Sequence, residues 1–404
     1  MALDSQFRPE TWVAAVGAIT PVGATWPESV EGVMAARSGY RCETFTYRDK
    51  AIEVPVGRIE TFQPEDHFSK RELRHLDRFS QLGIVAAREA VKQYGESIGG
   101  DRTGVIVATV NGPLESMESQ YRNLNGGFLQ VNPMAVQVAM RSSLTALLAA
   151  EFDVSGSALT ITSECASGLS ALILAREWLL SGKVDRVLVG GVDSSITATT
   201  VAFFSRMRAL SRSTGVIASQ PFGAERDGFV FSEGAAFCVL TRTKHHGSTC
   251  RLLGVAERCD LSGTVSTDQD GSGILPTLRA ALGSAGLEPS SLASFSAHGT
   301  STPANDVAEA RAVEQLLGTE LPVTSLKGST GHMMAASGIF EALVAGHTST
   351  VGRIPPTAGT SLLDPDVAIN LVRGDSATEV ASGPAMSASY GFGGFSAAVV
   401  LDSA

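Results

Sequence analysis

Cysteine is scarce in this chain: Cys42, Cys165, Cys238, Cys250 and Cys259 are the only five. Their odd number and the lack of any Cys-x-x-Cys pair argue against a disulfide scaffold and a structural zinc centre. No polybasic block occurs, and 31 basic residues stand against 41 acidic ones. Direct nucleic-acid binding is therefore not expected. No apolar run approaches the ~20 residues needed to cross a bilayer. Met1 to Pro9 lacks the apolar stretch of a secretory signal. No Gly-Lys-Ser/Thr phosphate loop is present, and the glycines of Ser389 to Phe395 miss the dinucleotide-binding spacing. These absences leave a reducing, cytoplasmic setting, with no membrane and no bound nucleotide, as the expectation.

What is present is apolar and rich in glycine. Of the 404 residues, 44% are hydrophobic, 18% are charged and 42 are glycine. That is enough to bury a large core in one or two domains, with many tight turns. Strand-like and helix-like runs alternate. Trp12 to Val16, Thr103 to Thr109, Leu159 to Thr162 and Val184 to Val189 read as strands, the last ending at Gly190-Gly191. Pro27 to Ala36, Leu82 to Tyr94, Ala135 to Phe152 and Gly168 to Leu180 read as helices.

The second half repeats this idiom. Phe229 to Leu240 is read as a strand interrupted at Glu233-Gly234, with Leu292 to Ala297, Ala368 to Val372 and Ala397 to Leu401 also extended. Ile274 to Ala285 and Ala304 to Leu317 are helical, and a further helix begins near His332. Gly215 to Ser219 and Ser262 to Gly273 are read as surface connectors. The pattern predicts layered α/β packing with sheets buried on both faces, and hints at duplication between residues 1–250 and 251–404.

Three stretches carry chemistry. In Ile161-Thr162-Ser163-Glu164-Cys165-Ala166-Ser167-Gly168, a β-type run gives way to a helix-type run. The reading places the Cys165 thiol exposed at the first helical turn, where free amides and the helix dipole favour thiolate. A buried, inert cysteine is the alternative. His298 precedes a glycine turn in Ser296 to Asp306, beside Thr300 and Thr302, and either points into a cleft or ties down the loop. Lys327 and His332 bracket glycines in Ser325 to His332, so both could converge on one pocket. Glu341 cannot be placed by spacing. One cysteine and two such histidines suggest covalent acyl transfer. Arg71, Arg74, Arg78 and Arg206, Arg208, Arg212 are candidates for a local basic patch.

With these motifs in order, the chain resembles the β-ketoacyl-acyl carrier protein synthases of the condensing-enzyme class, in particular type II fatty-acid and type II polyketide ketosynthases. The resemblance covers nearly all of the chain. It rests on Leu76-Asp77-Arg78-Phe79, the Cys165 segment, Pro221 to Gly234, the His298 and Lys327-to-His332 stretches, Ala335-Ala336-Ser337-Gly338 and Gly391-Phe392-Gly393-Gly394. It implies a thiolase-like fold: two related α/β halves in a five-layered α-β-α-β-α core, usually dimeric.

By the same resemblance, Cys165 matches the acyl-accepting nucleophile and His298 and His332 the catalytic histidines. Lys327 matches the lysine of the site, Glu309 its buried acid, and Thr300 and Thr302 the contacts of a phosphopantetheine arm. Phe392 matches the gating phenylalanine between Gly391 and Gly393. The implied reaction is decarboxylative condensation with malonyl-carrier thioester. No metal and no resident cofactor are implied, because the phosphopantetheine belongs to the acyl carrier protein. A second copy or a chain-length-factor-like subunit is the implied structural partner. An inactive chain-length-factor-like role and acyl transfer without decarboxylation are the competing readings.

The departures are Glu164 where alanine is usual, Gly223 where aspartate is common, Ala388 for asparagine, Tyr390 for phenylalanine and Ser396 for asparagine. They suggest a specialised secondary-metabolic enzyme. Met134, Met140, Phe203, Phe204 and Met207 are candidate acyl-pocket walls.

Overall fold

The apolar strand segments of both halves join one eleven-stranded mixed sheet in the computed structural model, which describes residues 10–215, 217–261 and 268–404. The first half supplies β1 (Trp12–Ile19), β2 (Thr103–Ala108), β3 (Ala158–Ile161), β4 (Arg186–Asp193) and β5 (Gly234–Thr241). The second supplies β6 (Cys250–Cys259), β7 (Ser294–Ser296), β8 (Pro322–Thr324), β9 (Asn370–Leu371), β10 (Ala385–Gly391) and β11 (Phe395–Ser403). Their order across the sheet is β9-β8-β7-β10-β11-β6-β1-β5-β4-β2-β3.

This order contains the duplication that sequence similarity only hinted at. In the first half β2 is parallel to β3 and β4, and β5 is antiparallel to β4 and β1. In the second half β7 is parallel to β8 and β10, and β11 is antiparallel to β10 and β6. Within this sheet the two halves join where β1 pairs with β6, at Trp12↔Arg251 and Val13↔Cys250.

Helices complete five layers. On one outer face α1 (Arg78–Tyr94) packs on β1, β5 and β4; on the other α3 (Leu275–Ala285) packs on β6 and β11, next to α4 (Pro303–Leu317). Between the two sheet halves lie α2 (Ser167–Leu180) and α5 (Ala335–Val351), which touch each other and strands of both halves. Nearly every residue of α5 is buried, and a helix that is apolar all round needs such an environment. The thiolase-like layering is thus present.

Several boundaries differ from the sequence reading. The helix read over Ala135 to Phe152 is two, Ala135–Ala139 and Ser143–Glu151, because Met140 is extended (φ −76, ψ 137) ahead of Ser142-Ser143. Serines favour local side-chain bonds over helix interiors, which suits the break. The strand read as ending at Gly190-Gly191 runs on to Asp193. Gly190 is a strand residue under the Phe237 ring, where a Cβ would sit 2.2 Å from ring carbons. Ser389 to Phe395, read as a flexible turn, is the end of β10, one 3-10 turn and the start of β11. Its small residues hide a strand pattern that burial on both faces makes possible. Met1 to Pro9, Val216 within the first connector, and residues 262–267 of the second lie outside the described residues.

Candidate active site

The duplicated topology places two equivalent loops back to back. Cys165 lies between β3 and α2, and His332 lies between β8 and α5. His332 Nε2 is 3.2 Å from Cys165 Sγ. His298 follows β7, and its ring meets the His332 ring edge to face at 5.3 Å. Three residues spread over the sequence therefore share one centre.

Cys165 is not exposed at the first helical turn as the sequence suggested. It stands two residues before α2 and is 5% exposed. Its loop turns at Glu164, whose φ of +49° is uncommon outside glycine. Serines hold the loop: Ser167 Oγ accepts the Ser163 amide at 2.8 Å, Ser163 Oγ meets Ser170 Oγ at 2.7 Å, and Ser170 Oγ donates to Glu257 at 2.5 Å. Glu257 is on β6, so the second half helps to position the first half's thiol.

His298 is held through its backbone. Glu309, on α4, accepts the His298 amide at 2.8 Å and the Gly299 amide at 2.7 Å. Asp306 similarly accepts the Ser301 amide at 3.1 Å and the Phe222 amide at 2.7 Å. Thr302 opens α4 without capping it. Its hydroxyl instead meets that of Thr300 at 2.8 Å.

His332 is held through its ring. The Met334 amide donates to Nδ1 at 3.2 Å, and Ser337 Oγ lies 3.3 Å from the same nitrogen. With Nδ1 accepting, the ring proton sits on Nε2 and points at the Cys165 sulfur. Behind it, Lys327 and Glu341 form a pair at 2.5 Å, each 1% exposed. Asp193, at the end of β4, accepts the Ala335 amide at 3.0 Å as well as Thr109 Oγ1 and the amides of Val110 and Asn111. It ties the start of α5 to the first half.

Burial dominates the electrostatics. Burial, aided by the Glu164 charge, pushes the Cys165 thiol up to about 12, opposite to the thiolate expected from a helix end. Burial, then the Lys327 charge, holds both histidines well below the usual imidazole range, so both are neutral. The buried acids rise as well: Glu309 to about 8, Glu341 to about 7 and Asp193 to about 6, with desolvation the main cause in each. A neutral Nε2–H facing a neutral thiol is a donor that steadies sulfur as it becomes anionic.

The Glu164 effect is measurable. Removing a negative neighbour lowers a thiol pKa, so at any pH below that value the thiolate fraction rises. Glu164→Gln is expected to speed iodoacetamide alkylation of Cys165 at pH 8 by roughly twofold to fivefold, the effect of a partly screened neighbouring charge. An unchanged or slower rate would show that this carboxylate does not act on the sulfur.

Cys165, His298, His332, Thr300, Thr302 and Phe392 line one cavity of about 380 Å³, together with Gly391 and Gly393. Gly391 faces the Cys165 loop, where a Cβ would lie 2.8 Å from Glu164 Cβ and 3.0 Å from Cys165 N. Only glycine lets β10 pass this close. Lys327, Glu309 and Glu341 stand behind the wall. Met207 also lines the cavity, whereas Met140 and Phe203 are exposed, and Phe204 packs on Phe229 and Phe231. Those three and Met134 are not among the residues lining this cavity. Arg78 is no docking residue, because it is locked to buried Glu233 at 2.6 Å.

Ligand atoms of Cys165, His298 and His332 all lie within 4.8 Å, as do those of Glu96, His245 and His246. In each set one histidine already uses Nδ1 as an acceptor, from the Met334 and Gly247 amides. The proton then occupies Nε2 and opposes metal ligation there.

Sequence reasoning missed Asp193 and Glu257, named Tyr390 only as a departure, and left Glu341, the partner of Lys327, unplaced. Asp193 left a signal, a carboxylate directly after a buried apolar strand. Glu257 and Glu341 left none, since their partners lie far away in sequence.

Comparison with known proteins agrees with this geometry. Family models described as the N-terminal and C-terminal domains of beta-ketoacyl synthase match residues 12–246 and 249–361. The 3-oxoacyl-[acyl-carrier-protein] synthase 2 of Staphylococcus aureus is 31% identical, over 96% of this chain and 100% of that protein. Among solved structures, the ishigamide ketosynthase/chain length factor superimposes with a TM-score of 0.89 at 27% identity, covering 98% of this chain and 100% of that one. A type II polyketide synthase acyl-carrier protein in complex with its ketosynthase, bound to the hexaketide, gives 0.88 at 25% identity with the same coverage.

Proposed function

The chain belongs to the beta-ketoacyl synthase family, and on that premise we propose that it joins an acyl group held on Cys165 to a malonyl-carrier thioester with loss of carbon dioxide. The observation that carries this reading is the 3.2 Å approach of His332 Nε2 to Cys165 Sγ, with His298 on the same cavity wall.

Acylation is a thioester exchange. The Cys165 sulfur bonds to the acyl carbon, the bond to the pantetheine sulfur breaks, and the thiol proton passes to that leaving sulfur. No net charge is created, which a thiol pushed up to about 12 requires. The proton on His332 Nε2 supports the sulfur during the exchange.

Condensation follows when the malonyl thioester enters. Its carbonyl oxygen accepts from His298 and His332, which are neutral donors. As carbon dioxide leaves, the electron pair of the broken bond forms an enolate on that oxygen. The enolate carbon then attacks the Cys165 thioester, the sulfur departs as thiolate and takes one proton from solvent, and a 3-oxoacyl product stays on the carrier. Burial, with the Lys327 charge held in place by Glu341 second, keeps the imidazoles neutral. The arm belongs to the carrier, with Thr300 and Thr302 as its contacts and Phe392 as the gate, and no resident cofactor enters these steps.

Two partners belong to the proposal. The acyl carrier docks at Arg206 and Arg208, which are exposed beside the cavity mouth. A second subunit, identical or related, covers the apolar face where Phe128, Leu129 and Val136 are 89%, 98% and 72% exposed. Edge strand β3 adjoins β2 alone in the sheet. Among the described residues no helix is long and apolar enough to cross a membrane, and the setting we propose is cytoplasmic. The departures Glu164, Ala388, Tyr390 and Ser396 favour a specialised pathway. Retention of Cys165 speaks against the inactive-subunit reading.

The test is a single-turnover assay of the purified chain, alone and with a candidate partner subunit, in which sedimentation gives the size of the active species. Stoichiometric carbon dioxide and 3-oxoacyl-carrier are expected. Acyl transfer without carbon dioxide would replace condensation by simple transfer, and an active homodimer would exclude an obligate inactive partner.

A further inference from the structure

A residue of the cavity wall carries a buried hydroxyl that none of these steps uses. Tyr390 lines the cavity, with its ring edge to face against the His298 ring at 5.7 Å. Its phenolic oxygen is buried and has no hydrogen-bond partner among the described residues; His298 Nδ1 is in the same position. A buried donor without a partner opposes folding, so a ligand oxygen that pairs with it regains that loss on binding.

The strand determines which substrate this hydroxyl meets. Successive side chains on β10 point to opposite faces. Gly391 turns toward the Cys165 loop, so Tyr390 turns away from it and packs against the outer cluster that contains Phe222 and Ile274. Cys165, His298 and His332 form one cluster, with ligand atoms within 4.8 Å of one another, and Tyr390 meets it at the His298 ring. Tyr390 thus contacts the ring that the steps above assign to the malonyl thioester, which puts this side chain beside the carrier-borne substrate. Burial, then the nearby Glu309 carboxyl, holds the phenol well above its usual range, so it remains a neutral donor.

We propose that Tyr390 is a specificity-determining hydrogen-bond donor to an acceptor oxygen of the carrier-borne thioester, either the malonyl carboxylate or an amide carbonyl of the arm. The inference rests on the condensing reading above.

Tyr390→Phe removes only the oxygen. In the full chain with its partner subunit, the KM for malonyl-carrier is expected to rise about fivefold to tenfold, the size of one buried hydrogen bond. The melting temperature without substrate should stay level or rise, because no bond within the protein is lost. Acylation of Cys165 by acyl-carrier separates the two sources. A matching KM rise in that step assigns the arm amide, while a rise confined to the malonyl step assigns the carboxylate. Unchanged KM in both steps overturns the proposal, as does a lowered melting temperature with unchanged KM, which would give the hydroxyl to the fold. If the wild-type protein releases no carbon dioxide, the condensing reading fails, and the acylation step still decides whether Tyr390 contacts the arm.

Discussion

A His298→Ala protein is expected to load acyl groups onto Cys165 at close to the wild-type level, yet to condense them about 10²–10³-fold more slowly. Losing one donor to a developing oxyanion in a water-excluded site has that cost. The asymmetry follows from position: His298 contacts the His332 ring, and among the described residues the ring nitrogen within hydrogen-bond reach of the sulfur is His332 Nε2. His332→Ala should therefore slow both steps. Separate measurement of acyl adduct and carbon dioxide release checks the pair. Equal losses in both steps for His298→Ala, or efficient product formation by both variants, would contradict the division of roles.

The second large effect is on stability. Lys327 and Glu341 are each 1% exposed, and Lys327 Nζ bonds one carboxylate oxygen while Glu341 Oε2 has no partner among the described residues. Deleting one member of a buried ion pair leaves the other charge without compensation, at about 3–5 kcal/mol. Glu341→Leu is expected to lower unfolding free energy by this amount in urea titrations, and Lys327→Met with Glu341→Leu should recover most of it. A single-variant loss below ~1 kcal/mol would show that the pair is not held as described. Lys327 also lowers both histidine pKa values. The doubly substituted protein should thus regain stability without regaining the wild-type pH profile of condensation.

The parts of this architecture that were legible beforehand are those specified by local pattern. The runs read over Val184 to Val189 and Gly168 to Leu180 are apolar and bounded by turns, and they supply much of a strand and nearly all of a helix, Arg186–Asp193 and Ser167–Leu180. The Cys165, His298 and His332 motifs were legible because each sits where a strand gives way to a glycine-rich or small-residue turn. The protonation of the thiol was not. The helix end that would lower its pKa is visible in the sequence, but the layers that bury it are assembled from distant segments, and desolvation wins. The same holds for Glu341, whose role depends on a lysine in another loop, and for β10, whose Ala and Ser residues look like a loop until both faces are covered. The acyl-wall candidates Met140 and Phe203 do not line this cavity in the single chain, for the complementary reason. They are apolar, but the fold leaves them on a face exposed in the single chain.

The most direct measurement is intact-protein mass spectrometry after incubation with acyl-carrier, followed by mapping of the modified peptide. One acyl group per chain on Cys165, absent from Cys165→Ala, is the expected result. An adduct that persists in Cys165→Ala, or none in the wild-type protein, would contradict covalent acyl transfer through this sulfur.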